Sequence, residues 1–112
     1  MMEKLDIWLA NLNPSKGTEV GKIRPVLVLQ FDLFNHYHPS TIICPLSSNP
    51  WEEKTFYIFA QADEVGMDKN AVMLLDQLRA LDNRRFIQKL GKLPDEYHSK
   101  VNQSLQIILD LI

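Results

Sequence analysis

The chain has 112 residues, 46% of them apolar and 23% charged, with a formal net charge of −2. That is the size and composition of one globular domain able to bury a core without staples. The slightly acidic balance excludes a protein that coats nucleic acid through a strong positive field, though not a local basic patch. One cysteine, Cys44, excludes a disulfide framework or a cysteine-based metal site within one chain, and its apolar setting reads as a small buried hydrophobe. Nothing in the first residues resembles a signal peptide and no apolar run reaches the length of a membrane span, so the expectation is a cytoplasmic protein with no membrane contact.

In chain order, Asp6–Leu12 alternates apolar and polar residues and reads as a strand with one wet face. A loop bearing Lys16, Gly17, Thr18, Gly21 and Lys22 leads to Arg24-Pro25 and the apolar strand Val26–Leu29. The loop exceeds the usual four to six residues or so, which suits a working surface. Proline at 25 drives Arg24 towards extended backbone at the mouth of the strand. Phe31–Ser40 reads as a loop with room for one helical turn. Thr41–Ser47 is a strand that Pro45 pushes towards an edge or a bulge. Ser48-Asn49-Pro50 breaks it, Trp51–Lys54 continues an exposed connection, and Thr55–Ala60 is β-rich. Gly66–Asn70 is a turn before the buried strand Ala71–Leu75, with Gln77–Leu81 as a candidate extension. Asp82 reads as an N-cap for a short helical turn through Arg85, and Lys89–Leu93 as a short strand or bend. The one long helix is terminal. Pro94 suits its first position, Asp95 and Glu96 suit its positive end, and Tyr97, Val101, Leu105, Ile108, Leu109 and Ile112 form its apolar stripe. The sum is an α+β fold, a small curled β-sheet or barrel with a C-terminal helix.

The chemistry narrows by elimination. His36 and His38 with Asp32 nearby supply too few ligands for zinc, and His98 is remote, so no metal is expected. Gly17 and Gly21 lack the density and the trailing lysine and hydroxyl of a P-loop. No serine sits in a nucleophile elbow. What remains suits phosphodiester chemistry without a metal or other cofactor. Arg24 offers paired donors to a phosphorane-like oxyanion, and Thr18 and Ser47 offer hydroxyls to phosphate oxygens. Asp76 and Gln77 offer an acid/base and a base-edge reader. Lys16 and Lys22 flank Arg24 in sequence, while Arg79, Arg84 and Arg85 form a second cluster that reads first as a solvated face.

These residues carry a family likeness. Asp6-Ile7-Trp8-Leu9, Asn13-Pro14, Lys16-Gly17-Thr18-Glu19 and Gly21-Lys22-Ile23-Arg24-Pro25-Val26-Leu27-Val28 resemble the N-terminal signature of the MazF/PemK/Kid toxins. Pro45-Leu46-Ser47-Ser48 and the segment Val72–Asp82 around Asp76-Gln77 are similar to that family's later motifs. The resemblance implies an SH3-like barrel acting as a homodimer, and a metal-independent endoribonuclease that cuts single-stranded RNA at short sequences. The ribose 2′-hydroxyl would attack the adjacent phosphate, leaving a 2′,3′-cyclic phosphate and a 5′-hydroxyl. By position, Arg24 would be the catalytic arginine and Ser47 would stand where the family usually has threonine. Lys16, Lys22 and Arg24 would capture the strand. Residues in Phe31–Ser40 and Asn49–Thr55, with Tyr37 and Trp51 able to stack on bases, would read it. A separate antitoxin with an acidic, partly disordered tail would be the protein partner. Four positions depart from the pattern: Ser47 lacks threonine's methyl, Leu74 stands where some members have an arginine, Thr18 where some have a histidine, and Leu5 where glycine is usual. The alternative is a non-catalytic member of the same fold that binds RNA, an antitoxin or DNA gyrase.

Overall fold

A computed structural model describes residues 2–14, 17, 21–35, 37–48 and 57–111. Among these residues, seven antiparallel strands form one curled sheet: β1 (Asp6–Asn11), β2 (Ile23–Val28), β3 (Ser40–Ser47), β4 (Tyr57–Ala60), β5 (Ala71–Leu74), β6 (Arg79–Asp82) and β7 (Phe86–Lys92). Their order is β4-β5-β3-β2-β1-β7, with β6 also paired to β3, so the sheet curls without closing into a barrel. Among the described residues three helices accompany it: α1 (Asp32–Asn35), α2 (Ala62–Val65) and α3 (His98–Ile108). Short 3₁₀ turns occupy Leu75–Gln77, Asn83–Arg85 and Asp95–Tyr97.

The larger core lies inside the curl, where Ile7, Leu27, Cys44, Leu46, Met73 and Leu75 meet Val65 of α2, Leu93 and Val101 of α3. A second cluster, around Leu12, Val26, Val28, Ile43 and Leu81, closes the other face. Each fully buried aliphatic side chain contributes on the order of 1.5–3 kcal/mol of transfer free energy. Cys44 is wholly buried, and that burial pushes its thiol far above the ordinary thiol range.

Several expectations change. β1 has no simple wet face. It is paired on both sides, with two irregularities in its ladder to β7, and its first residue, Asp6, is fully buried. The Asp6 carboxylate is flanked by the Lys89 and Lys92 ammonium groups at 3.4 and 3.6 Å. Its other oxygen accepts from the Glu3 amide at 2.9 Å.

Pro45 is not on an edge. β3 pairs with β2 through residues 43–45, while its other side serves β6 up to Ile43 and β5 from Leu46. Cys44 and Pro45 fall in the interval between those two partners, where a missing N–H goes unmissed.

Gln77–Leu81 does not prolong β5. The Leu75–Gln77 turn interrupts it, and β6 then pairs with a different stretch of β3. β7 starts earlier than Lys89, at Phe86. Two further helical details differ. α2 escaped the pattern reading, although Glu64 accepts from the Gln61 amide at 3.2 Å as a capping side chain does. α3 ends at Ile108, so Leu109 is 48% exposed rather than part of the packed stripe, and Ser104 is buried there instead.

Leu5 has a left-handed backbone, φ +71°, while its side chain is 98% buried in the core. That conformation favours glycine, so leucine holds it at a backbone cost that its buried side chain offsets.

Candidate active site

The ladder between β2 and β3 brings Arg24 and Ser47 to one end of the sheet. The last described pair is Val26↔Pro45. Antiparallel strands run oppositely, so Arg24 and Ser47 each lie two residues beyond that pair in the same direction. β2 begins at Ile23, so Arg24 stands inside the strand's half-exposed first half rather than at its mouth. Its Nε donates to the Gly21 carbonyl at 3.0 Å. Among the described residues its terminal nitrogens have no partner, which leaves the planar fork open to an anion. Ser47 ends β3, is 2% exposed and pairs through its backbone with Val72.

The loop that leads into Arg24 has a tightly bonded neck at residues 12–13 and 21–22. The Leu12 amide donates to the Lys22 carbonyl at 2.8 Å, and the Lys22 amide donates to Asn13 Oδ1 at 2.7 Å. The Asn13 amide donates to Asn11 Oδ1 at 3.0 Å. Lys22 is exposed and has a φ of +70°, a left-handed conformation that costs a non-glycine residue about 1–2 kcal/mol. Two distant arginines reach the same neck. Arg85 Nη1 donates to the carbonyls of Asn11, at 3.3 Å, and Asn13, and Arg79 Nη1 approaches the Leu12 carbonyl at 3.5 Å. Lys22, Arg24, Arg79 and Arg85 therefore converge, whereas Arg84 is spent on a surface pair with Asp82 at 3.0 Å.

The remaining candidates are placed elsewhere or lie outside the description. Asp76 and Gln77 sit in the 3₁₀ turn that packs against β3, β4 and α3, on the opposite edge of β3 from β2. Asp76 is exposed and accepts a long hydrogen bond, 3.5 Å, from the Tyr57 phenol. Burial, with the Asp76 charge second, raises that phenol above its ordinary range. The structure thus separates Asp76 and Gln77 from the Arg24 side of β3 instead of joining them to it. Lys16, Thr18, Trp51 and His36 lie outside the described residues, as does the whole reader segment Asn49–Thr55. In the other reader segment Tyr37 is 85% exposed, and Phe31 and Phe34 stand edge to face, both well exposed. Among the described residues, no three His, Cys, Asp or Glu side chains are grouped to hold a metal ion. No helix among them is long and apolar enough to cross a membrane.

The residues that pattern reading missed are Asn13, Gly21 and Arg85. Each acts here through a main-chain carbonyl or amide, a partner without a side-chain signal.

Away from this end, between α2 and the start of α3, a hollow of about 430 Å³ is lined by Gln61, Asp63, Glu64, Glu96, Tyr97 and Lys100. Tyr97 donates to Glu64 Oε1 at 2.8 Å, and that bond to a carboxylate holds its phenol up at about 12. Its acidic lining would repel a polyanion, while the arginine-rich neck would attract one.

Known proteins resemble the chain over essentially its whole length. The chain is 34% identical over its whole length to the endoribonuclease EndoA of Bacillus subtilis, covering 97% of that protein. It is 36% identical over 99% of its length to the endoribonuclease MazF of Staphylococcus saprophyticus, covering 93% of it. Among solved structures, MazF of Deinococcus radiodurans superposes with a TM-score of 0.85 at 26% identity, over 97% of this chain and 96% of that one. A MazE–MazF structure from the same organism matches at 0.80 and 26%, over 99% and 97% of the respective chains. The family described as PemK-like, MazF-like toxin of type II toxin–antitoxin system matches residues 3–109, and the chain belongs to that family.

Proposed function

We propose that this chain is an endoribonuclease toxin that cuts single-stranded RNA without a metal ion, leaving 2′,3′-cyclic phosphate and 5′-hydroxyl ends. The observation that carries the reading is Arg24, whose open guanidinium fork stands in the first half of β2, at the end of the sheet it shares with the Ser47 terminus of β3 and next to a cation-lined neck. In the reaction the 2′-oxygen bonds to phosphorus as its proton leaves, and the bond from phosphorus to the 5′-oxygen breaks as that oxygen gains a proton. Charge accumulates on the non-bridging oxygens in between. Arg24 meets that charge with two parallel donors, an interaction whose removal costs on the order of 10²–10³ in rate. Ser47 supplies a hydroxyl to the same phosphate, and its burial at a strand end fixes where that hydroxyl stands. Lys22, with Lys16, steers the strand. Thr18 would meet the RNA from the loop, and Asp76 and Gln77, on the far edge of β3, would contact it away from the cleaved bond.

A homodimer, a separate antitoxin partner and a cytoplasmic location belong to the same reading, supported by the relatives named endoribonucleases and by the MazE–MazF match. The test is digestion of a long unstructured RNA in excess EDTA by wild type and Arg24→Ala, with mapping of fragment ends. Discrete cuts with cyclic-phosphate termini, slowed at least 100-fold in the variant while its melting temperature holds, are expected. Equal cutting by the variant removes Arg24 from the chemistry. No cutting by a folded wild-type dimer makes the chain a binding protein.

A further inference from the structure

We infer that Arg85 is a positioning residue for Arg24, acting through the neck of the loop between β1 and β2. The linkage is traceable bond by bond. Arg85 Nη1 holds the carbonyls of Asn11 and Asn13, more than 70 residues away in sequence. Asn13 Oδ1 in turn holds the Lys22 amide at 2.7 Å, and this pins Lys22 in a left-handed conformation it would not adopt freely. The turn of the backbone at Lys22 sets the direction of the Gly21 carbonyl, and that carbonyl holds Arg24 Nε at 3.0 Å. A guanidinium gripped at Nε has its terminal nitrogens aimed by that grip. Arg85 therefore governs the aim of Arg24 without meeting the substrate.

Its neighbour Arg84 shows the contrast. Arg84 bonds Asp82 through both Nε and Nη2 at the surface, with its side chain 90% exposed, and bonds none of the described residues of the loop. The two arginines look equivalent in sequence and stand side by side in the Asn83–Arg85 3₁₀ turn, yet they hold different partners.

This inference rests on the endoribonuclease reading, so its test carries a readout that survives if that reading fails. In single-turnover cleavage, Arg85→Ala should lower the rate at saturating enzyme about 10–100-fold, the scale of a small misplacement of a catalytic group, with the half-saturating concentration changed less than threefold. Arg85→Lys, which keeps the charge and can reach a carbonyl, should recover part of the loss. In an Arg24→Lys background, Arg85→Ala should cost less than a further threefold, because the residue it aims is already gone. Asn13→Ala, which breaks the next link at an exposed position, should reproduce the Arg85→Ala signature even if Arg85→Ala folds poorly. Independently of activity, hydrogen exchange at the Lys22 amide should accelerate at least tenfold in Arg85→Ala, with exchange in β3 unchanged. Losses that multiply fully in the two backgrounds, or a change confined to half-saturation, would make Arg85 a direct RNA contact and overturn the inference. Unchanged Lys22 exchange would overturn it as well, even if the wild type cuts no RNA.

Discussion

The loop neck beside Arg24 and the junction of α2 with β7 are both places where distant chain segments meet, yet they are held by opposite means. At the neck, side chains reach backbone: Arg85, Arg79 and Asn13 satisfy carbonyls and amides that no strand pairs. At the α2 junction, backbone meets backbone with no room for a side chain. A β-carbon on Gly66 would lie 2.2 Å from the Leu90 carbonyl oxygen, and one on Gly91 3.3 Å from the Val65 oxygen. Directional bonds tolerate a change of volume and fail when a donor is lost. Close packing does the reverse. The end proposed to bind and react is built from the first kind, the α2 junction from the second.

The largest stability effect should therefore come from adding one methyl group at the packed end. Gly66→Ala combines a steric clash with a left-handed φ of +69° and is expected to cost about 3 kcal/mol or more by urea unfolding. Gly17→Ala sharpens the contrast. Its φ is +58° but no described residue lies within 4 Å of the added carbon, so the backbone cost of about 1–2 kcal/mol is the one expected. Equal costs at the two glycines would show that conformation, not contact, decides at the junction.

Leu5→Gly sets the same two forces against each other within one residue. Relief of the φ +71° strain gains about 1–2 kcal/mol, while removing a buried leucine loses about 2–5, so a net destabilisation near 2 kcal/mol is expected. A stabilised variant would mean that backbone strain outweighs the core there.

The smallest effect is pH-dependent. Tyr97 has a phenol raised to about 12 by its bond to Glu64, against about 10 when unfolded. A raised value means the bond stabilises the fold fully below about pH 10 and loses that contribution as pH rises to about 12. Tyr97→Phe should flatten the decline in melting temperature across that window. An identical decline in the variant would assign it to other groups.

Much of the fold was legible in the sequence because burial imposes a pattern. The apolar runs around Val26, Ile43 and Val72 became central strands, Asp82 became the cap of a short turn with its carboxylate accepting from the Arg84 amide at 2.9 Å, and Val101 with Leu105 faced the core. What escaped was set by partners rather than by pattern. Nothing local in Gln77–Leu81 says that Leu75–Gln77 must turn so that β6 can join β3, and nothing near Pro45 says that one strand will change neighbours there. The site divides in the same way. The side chains of Arg24 and Ser47 stood out by chemical type, but their common end of the sheet follows only from the β2–β3 register. Arg85 read as one charge in a cluster because its partners are carbonyls, which every residue has.

The threefold pairing of β3 also bears on when the molecule becomes dangerous to its maker. Ser47 takes its place only once Val72 of β5 pairs with it, and the rest of β3 is not enclosed until β6, ending at Asp82, has followed. The Arg85 that anchors the neck comes later still. On the proposed reading, a nascent chain carries Arg24 long before it carries the strands and anchor that would arm it, so the order of synthesis would itself spare nearby RNA.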